Sequence, residues 1–517
     1  MEINIDNFLG YSPLNKLSPI TPIDIDFEGE GIKGLIEHIK ISDLINPLYY
    51  CGCDLVQGDH CDNAIPIEFP YCNKSIIKSS SVTGSPTIEC GECASIPLFT
   101  SMPTKPLTVT SGPVIYNLDV LTRGYLYTVV DCLGRESTPS PVSTITLNEN
   151  SKVIVSGLTL PEAKYKAVGI NIYRTITGIL EDGDSDPLLT DYYKVGYVTA
   201  DNIAGGFVDN TEDINVGDIL NYKEIISPPK AKFPLQLSTE HLAMVWKNEV
   251  YISEVNMFHH FPLEYIYRLD ANVTLLAEVP TGLLIGTTKS LFILPTIFEV
   301  GKCTPPLRLE GAPPPIIGNN RNFTLVDGGI IYPSLVGLIF TNGSEWRNIT
   351  KNIFPVAEWR KLDITRVILA YYHGKLIVSD QRIAFIIILG GNYQDGNSKI
   401  TTLSSIPISF LRSPTNELLF ATKDGTYHWE GGSYRMAWSY KFIFNFNSIV
   451  KVRAILAQLI GEIKLTINDM SDQLIIDRPC WLPCTLLTSK YTLTLKGSKN
   501  SILYTIKLAR NIRELIR

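Results

Sequence analysis

Charge is what this chain has least of. Only 19% of its 517 residues are Asp, Glu, Lys or Arg, against roughly 25% in ordinary soluble domains. At roughly 150 residues per domain the length suggests three or four domains. So little charge cannot coat that many separate bodies, so much of the surface is expected to be buried against other subunits. No Lys/Arg-rich run occurs and the formal net charge is −7, which excludes a basic clamp that tracks phosphates. Long apolar runs are missing as well. The most apolar stretch, 384–389, is of strand length, far below the roughly 18 residues of a membrane span. The first ten residues, MEINIDNFLG, carry acids where a secretory leader needs Lys or Arg, so a soluble product of the cytosol is expected. Neither a phosphate loop nor a nucleophile elbow is found.

Cysteine, by contrast, is plentiful. Six of the ten crowd together as Cys51, Cys53, Cys61, Cys72, Cys90 and Cys93. Cys90-x-x-Cys93 has the spacing of a zinc knuckle, which Cys51 and Cys53 with His60 or Cys61 would complete. The first pair is unusually spaced, however, and the chain has no second CxxC. Disulfides and free buried thiols are the competing readings, and residue spacing leaves all three open. No catalytic, metal-binding or cofactor-binding residue is assigned.

The dominant pattern is a hairpin that recurs: 283–294 (LLIGTTKSLFIL), 338–349 (LIFTNGSEWRNI), 376–387 (LIVSDQRIAFII) and 418–429 (LLFATKDGTYHW). Each is an apolar run, a polar turn and a return strand with aromatic or β-branched residues. Their starts lie 55, 38 and 42 residues apart, near the spacing of four-stranded propeller blades. A fifth candidate strand, NEVYIS at 248–253, lies upstream. The expected fold is therefore all-β: a β-propeller over 223–441, with β-rich segments around it. The Pro- and Gly-rich stretch 298–320 breaks the rhythm and reads as an ordered docking loop.

Before the propeller, 105–222 has short alternating strands suited to an antiparallel sandwich. Its pattern of Tyr127, Val129, Asp131, Gly134, Glu136 and Ser137, followed by Ile170-Asn-Ile-Tyr-Arg174, resembles a fibronectin type III-like domain. Four acids within 181–186 read as a solvated hairpin tip ahead of a calcium loop, because the distant glutamate is missing. Pro228-Pro229 stiffens the linker into the propeller. Residues 1–104 read as irregular, except for a helical stripe of Ile32, Leu35, Ile36 and Ile39. Gly29, Gly31 and Gly34 formally satisfy GxGxxG, but Asp43 stands too near for the ribose-binding acid, so these glycines read as turns. The 442–517 segment reads as further strands, with a turn at Cys480-Trp-Leu-Pro-Cys484 and a helical tail.

Candidate chemistry is thin. Asp380 and Asp424 are the carboxylates a propeller hydrolase could use, yet turns favour Asp for backbone hydrogen bonding. The 422–429 segment is near a sialidase Asp-box turn, but Gly425 follows Asp424 directly. His259 and His260 could ligate metal, but neighbours on a strand point to opposite faces, so packing roles are expected. The chain is read as no enzyme.

Taken together, the IYRT strand, YYKVGYV, FVDNTEDINVGDIL, the SPP linker and NEVYISEVNMFHHFP resemble the tail nozzle, or tail tubular protein B, of short-tailed bacteriophages over about 105–430. The resemblance implies a homohexameric ring at the distal end of the tail tube. Such a ring surrounds a channel for double-stranded DNA and contacts an adaptor ring above and tail fibres at the side. It implies a virion protein assembled in the host cytoplasm, without cofactor. In that setting the 298–320 stretch is expected to gate the lumen or contact the lower rim. The alternative reading is a propeller adhesin for cell-surface glycan.

Overall fold

The structure is a computed structural model. It describes residues 2–5, 24–26, 32–44, 48–51, 54–57, 63–69, 72–79, 86–90, 93–115, 120–148, 151–176, 191–220, 225–226, 228, 230–295, 304–316, 323–389, 399–413, 415–468, 473–475, 478–509 and 512–515. The chain is nearly all β, with strands that pair antiparallel. It divides into two compact units, one of 1–60, 274–295 and 306–517, the other of 61–273 and 296–305.

Propeller-type blades of four antiparallel strands, meanders in all but the last, dominate the first unit. They are Val273–Val279 to Leu307–Arg308, Thr324–Val326 to Trp346–Asn348, Ile368–Tyr372 to Lys399–Thr402, and Ser409–Arg412 to Gly425–His428. All four recurring hairpins lie in these blades, with Leu283 opposite Leu294 and Leu376 opposite Ile387. One device ends the leading strand of each hairpin. A buried hydroxyl accepts the N–H two residues on: Thr287 from Lys289, Thr341 from Gly343, Ser379 from Gln381 and Thr422 from Asp424, at 3.1 to 3.2 Å. The hydroxyl satisfies a turn donor that the ladder cannot reach.

Blades stack because both faces of these short strands are apolar. Leu284 and Leu291 share a core with Ile330 and Tyr332. Ile331 and Phe340 join Leu376 and Phe385 in the next, and Ile377 and Ile386 join Leu418 and Phe420 in the third.

The last blade obtains its fourth strand from the other end of the sequence. Ile39–Ser42 pairs with Gly425–His428, Tyr427 opposite Lys40 and His428 opposite Ile39. This corrects the helix read over 31–46. The apolar spacing there suits a helix, but the free edge of the blade offers a ladder that an isolated short helix cannot match. The same pairing explains Gly425, at φ +133°, where a Cβ would sit 2.5 Å from the Ser42 carbonyl oxygen. The departure from an Asp-box thus has a steric cause.

The described part of the Pro-rich stretch, 304–316, packs on the blades. Its Leu307–Arg308 is the fourth strand of a blade, pairing with Phe292 and Ile293, and the Tyr332 hydroxyl donates to the Pro313 carbonyl at 2.8 Å. Residues 298–303 and 317–320 lie outside the described residues. Tyr332→Phe is expected to cost about 1 kcal/mol and to raise limited-proteolysis rates within 304–316, read by mass spectrometry.

A long antiparallel sheet completes this unit. Trp438–Ile460, Cys480–Gly497, Ile463–Ile467 and Ile502–Ala509 are its main strands, and Glu2–Ile5 and Ile32–Gly34 both pair with Ile502–Ala509. The turn expected at Cys480–Cys484 lies instead inside a strand, and the described part of the tail, 512–515, holds a 3-10 turn at Ile512–Glu514. Gly34 belongs to an antiparallel strand, so the described residues around it form no dinucleotide βαβ unit.

In the second unit, the region read as irregular contains a further meander, Asn63–Phe69, Cys72–Ser79, Thr87–Cys90 and Cys93–Pro97. Its Ile77, Ile88 and Ile96 share a core with Leu242, Met244 and Tyr251 of the blade Lys232–Gln236 to Ile266–Arg268. Cysteines had masked an ordinary alternating strand pattern. Between these sheets in the sequence lies a sandwich. Thr108–Ser111, Val153–Ser156 and Phe207–Asp209 form one sheet; Ser143–Asn148, Val120–Asp131, Ala167–Thr175 and Tyr192–Thr199 form the other. Tyr125, Tyr127, Ile170 and Ile172 face Val153 and Val155 across its core. The small sheet takes its third strand from the C-terminal end of the segment. Residues 181–186 are outside the described residues.

Candidate functional site on the closing blade

A cavity of about 610 Å³ opens on the last blade. Its walls come from four places: the 422–425 turn with Phe420 and Tyr427, the 404–408 connector with Gln381, the incoming Glu37 and His38, and Met436 to Lys499. Phe420 is buried, and the Tyr427 ring lies nearly parallel to it at 5.5 Å. Ile406, Ile408 and Met436 extend the apolar lining. The wall also carries Gln381, Ser404, Ser405, Lys423 and Asp424, while Lys499 is paired with Glu37 at 3.2 Å.

His38 is the most constrained group at the wall. It sits 4.4 Å from the Trp429 ring and 5.0 Å from Phe420. Its Nδ1 accepts the Glu430 N–H at 3.1 Å, which puts the ring proton on Nε2. That N–H, like the Ser405 hydroxyl, has no partner among the described residues. Burial, with the nearby Lys375 cation and His428, pulls the His38 pKa down to about 4, so the ring is neutral at pH 7.

Close by, a buried ionic cluster holds the N-terminal hairpin. Lys375 Nζ lies 2.7 Å from Glu430 and 3.8 Å from Asp26. Arg435 and Lys33 approach Asp26 at 3.2 and 3.9 Å. Each buried charge thus has opposite neighbours, the condition under which such groups are tolerated.

Asp380 does not face the cavity as a free acid. Its carboxylate accepts the N–H groups of Arg382, Ile383 and Asp363 at 2.8 to 3.2 Å; burial opposes these bonds, which hold its pKa below the usual value. Asp424 is exposed and lines the cavity, so the structure does not bring the two candidate carboxylates together as an acid–base pair.

His259 and His260 are packed in the interior, consistent with the expected packing role, but not on a strand. They lie in a turn, so their rings face each other at 4.0 Å and do not diverge. Both are buried, which lowers both pKa values, that of His260 to about 4. His260 Nε2 lies 3.2 Å from the Glu136 carbonyl. No group of three metal-ligating side chains occurs among the described residues. Cys90 and Cys93 stand opposite each other across a hairpin, Cys132 is disulfide-bonded, and Cys53, His60 and Cys61 lie outside the described residues.

Sequence reading missed a clamp in the sandwich. Arg174, buried, pairs with Asp209 at 2.9 Å, also meets Asp213, and donates to the Thr211 carbonyl at 2.7 Å. Tyr125 donates to the same Asp209 carboxylate at 2.7 Å. The polar residues of 131–137 are equally structural. Arg135 donates to Asp131 and to the Leu98 and Pro97 carbonyls, and Glu136 accepts from Thr128 and Tyr173. A buried arginine ringed by nearby aspartates in the quoted motifs was the available signal.

No family model matches the chain, and no curated protein matches it. Among solved structures it is similar to Hsv2 of Kluyvelomyces marxianus, at 11% identity and TM-score 0.26 over 56% of this chain and 68% of that one. It is similar to the AfRom2 CNH domain at 11% and 0.28, over 77% and 97% of the two chains. A streptogramin B lyase matches at 12% and 0.26, over 62% and 97%. Likenesses this distant carry no argument about function.

Proposed function

We propose that the chain is a structural virion protein, the nozzle of a short phage tail. In this reading it forms a ring, hexameric by resemblance, that retains and then passes double-stranded DNA and anchors an adaptor ring and fibres. The observation that supports it is an apolar outer face on the sandwich. Ile154 and Val208 stand directly opposite each other on adjacent strands, 52% and 50% exposed, and Ile214 is 87% exposed. A chain with this little charge that also bares such a face is suited to bury it against a neighbouring copy. A net charge of −7 without a basic run suits a channel to which phosphate does not stick.

The test is the mass of the purified protein by light scattering, with negative-stain class averages. A ring several times the 57.6 kDa chain mass is expected. Ile154→Lys with Val208→Lys should weaken assembly at least about 30-fold, the effect of losing one interface hot spot. A wild-type monomer would overturn the reading. A second reading, a propeller that binds cell-surface glycan, draws on the aromatic-lined cavity of the closing blade and predicts that monomer.

A further inference from the structure

The geometry points to a binding site for a neutral disaccharide in the cavity lined by Phe420, Tyr427, Gln381, Ser405 and Asp424. It rests on the glycan reading and deepens it, and its named wall residues all belong to a single copy of the chain.

Size comes first. A cavity of about 610 Å³ lies within the roughly 300–1,000 Å³ that small-ligand sites span. The lining has the two halves that a pyranose requires. One is apolar and flat: Tyr427, half-buried, lines the cavity with its ring held parallel to Phe420, and Ile406, Ile408 and Met436 continue it. A sugar ring has an apolar C–H face that packs on such a surface, while its hydroxyls point to the edge.

The other half is a mixed set of hydrogen-bonding groups. Asp424 is an acceptor, Lys423 a donor, and Gln381, Ser404 and Ser405 are both. Each hydroxyl of a sugar donates once and accepts twice, so it needs donors and acceptors interleaved. The Ser405 hydroxyl and the His38 Nε2–H have no partner among the described residues, and unpaired buried polar groups are costly. A ligand supplying hydroxyl oxygens offers them partners.

Charge argues for a neutral ligand. Glu37 and Asp424 stand on the wall with Lys423 and Lys499, and Lys499 is already neutralised by Glu37. No arginine lines the cavity among the described residues, so the bidentate fork that selects phosphate or carboxylate is missing. The closing strand also makes the site conditional on the N-terminal segment, because Glu37 and His38 arrive with it.

Saturation-transfer NMR and calorimetry on the full chain test the site, with cellobiose, lactose, trehalose and N,N′-diacetylchitobiose as neutral probes and glucose 6-phosphate as the charged one. At least one neutral disaccharide is expected to bind with a dissociation constant on the order of 1 mM or tighter. Tyr427→Ala and Gln381→Ala should each weaken it about tenfold or more, the loss of roughly 1.4 kcal/mol. Gln381 lies in a turn, so its variant tests the site even if loss of Tyr427 disturbs the blade; thermal melts identify that case. The proposal fails if none of the four binds, if binding survives Gln381→Ala undiminished, or if glucose 6-phosphate binds more tightly than the neutral probes.

Discussion

Acidification from neutral pH to about pH 4 is expected to lower the melting temperature steeply. Two buried histidines, His259 and His260, and the half-buried His38 drive the effect. Burial pulls His38 and His260 down to about 4, and drives His259 well below the ordinary 6.5. Each is neutral in the fold but takes up a proton near pH 6.5 when the chain unfolds. The unfolded state therefore binds more protons as pH falls, so stability is fully present above about 6.5 and is lost progressively below it. For His38 and for His260 a fall from 6.5 to about 4 corresponds to up to about 3 kcal/mol each. Together that rivals the roughly 5–15 kcal/mol by which a domain is held folded. Asp24 works in the opposite sense: burial raises its pKa, so its protonation favours the fold. The net expectation is a decline between about pH 6.5 and 4.5, read as melting temperature by circular dichroism. His38→Gln and His260→Gln should each flatten that slope, and an unchanged slope in both would count against this account.

Replacing Arg174 by Met is expected to cost about 3–5 kcal/mol, the usual penalty for removing one partner of a buried ion pair. The guanidinium bridges the two sheets of the sandwich, since Arg174 belongs to one and Asp209 to the other. Without it the Asp209 carboxylate, buried and 2.7 Å from the Tyr125 hydroxyl, loses its counter-charge. Met restores the apolar stem of arginine, so the loss reports charge and hydrogen bonds more than volume. Adding Asp209→Asn to Arg174→Met should recover part of the stability, because the double variant no longer buries a lone charge. The midpoint of urea unfolding measures both, and equal midpoints for wild type and Arg174→Met would contradict the clamp.

This clamp also gives physical content to the motifs on which the nozzle resemblance rests. Arg174 comes from the IYRT strand, and Asp209 and Asp213 from FVDNTEDINVGDIL. These segments, distant in the chain, are joined by direct ion pairs.

Local information carried the repeated hairpins. Runs such as LLIGT, LIFT, LIVS and LLFAT end in a hydroxyl residue because turn and strand chemistry both act within a few residues. The sandwich strands and the short blade turns were legible for the same reason. Partners far apart in the chain were not. Nothing in IKIS at 39–42 says that its ladder lies with Gly425–His428, and no spacing rule places His38 beside Trp429 or Glu2–Ile5 beside Ile506–Ala509. The sequence by itself determined an all-β chain, the propeller-type repeat and the low charge content. Only the tertiary structure decided how the last blade closes, which carboxylates are spent on turns, and that a cavity forms where the N-terminal segment docks. The reason is physical: periodicity records which face of a strand is buried, whereas pairing depends on which free edge, hundreds of residues away, competes best for it.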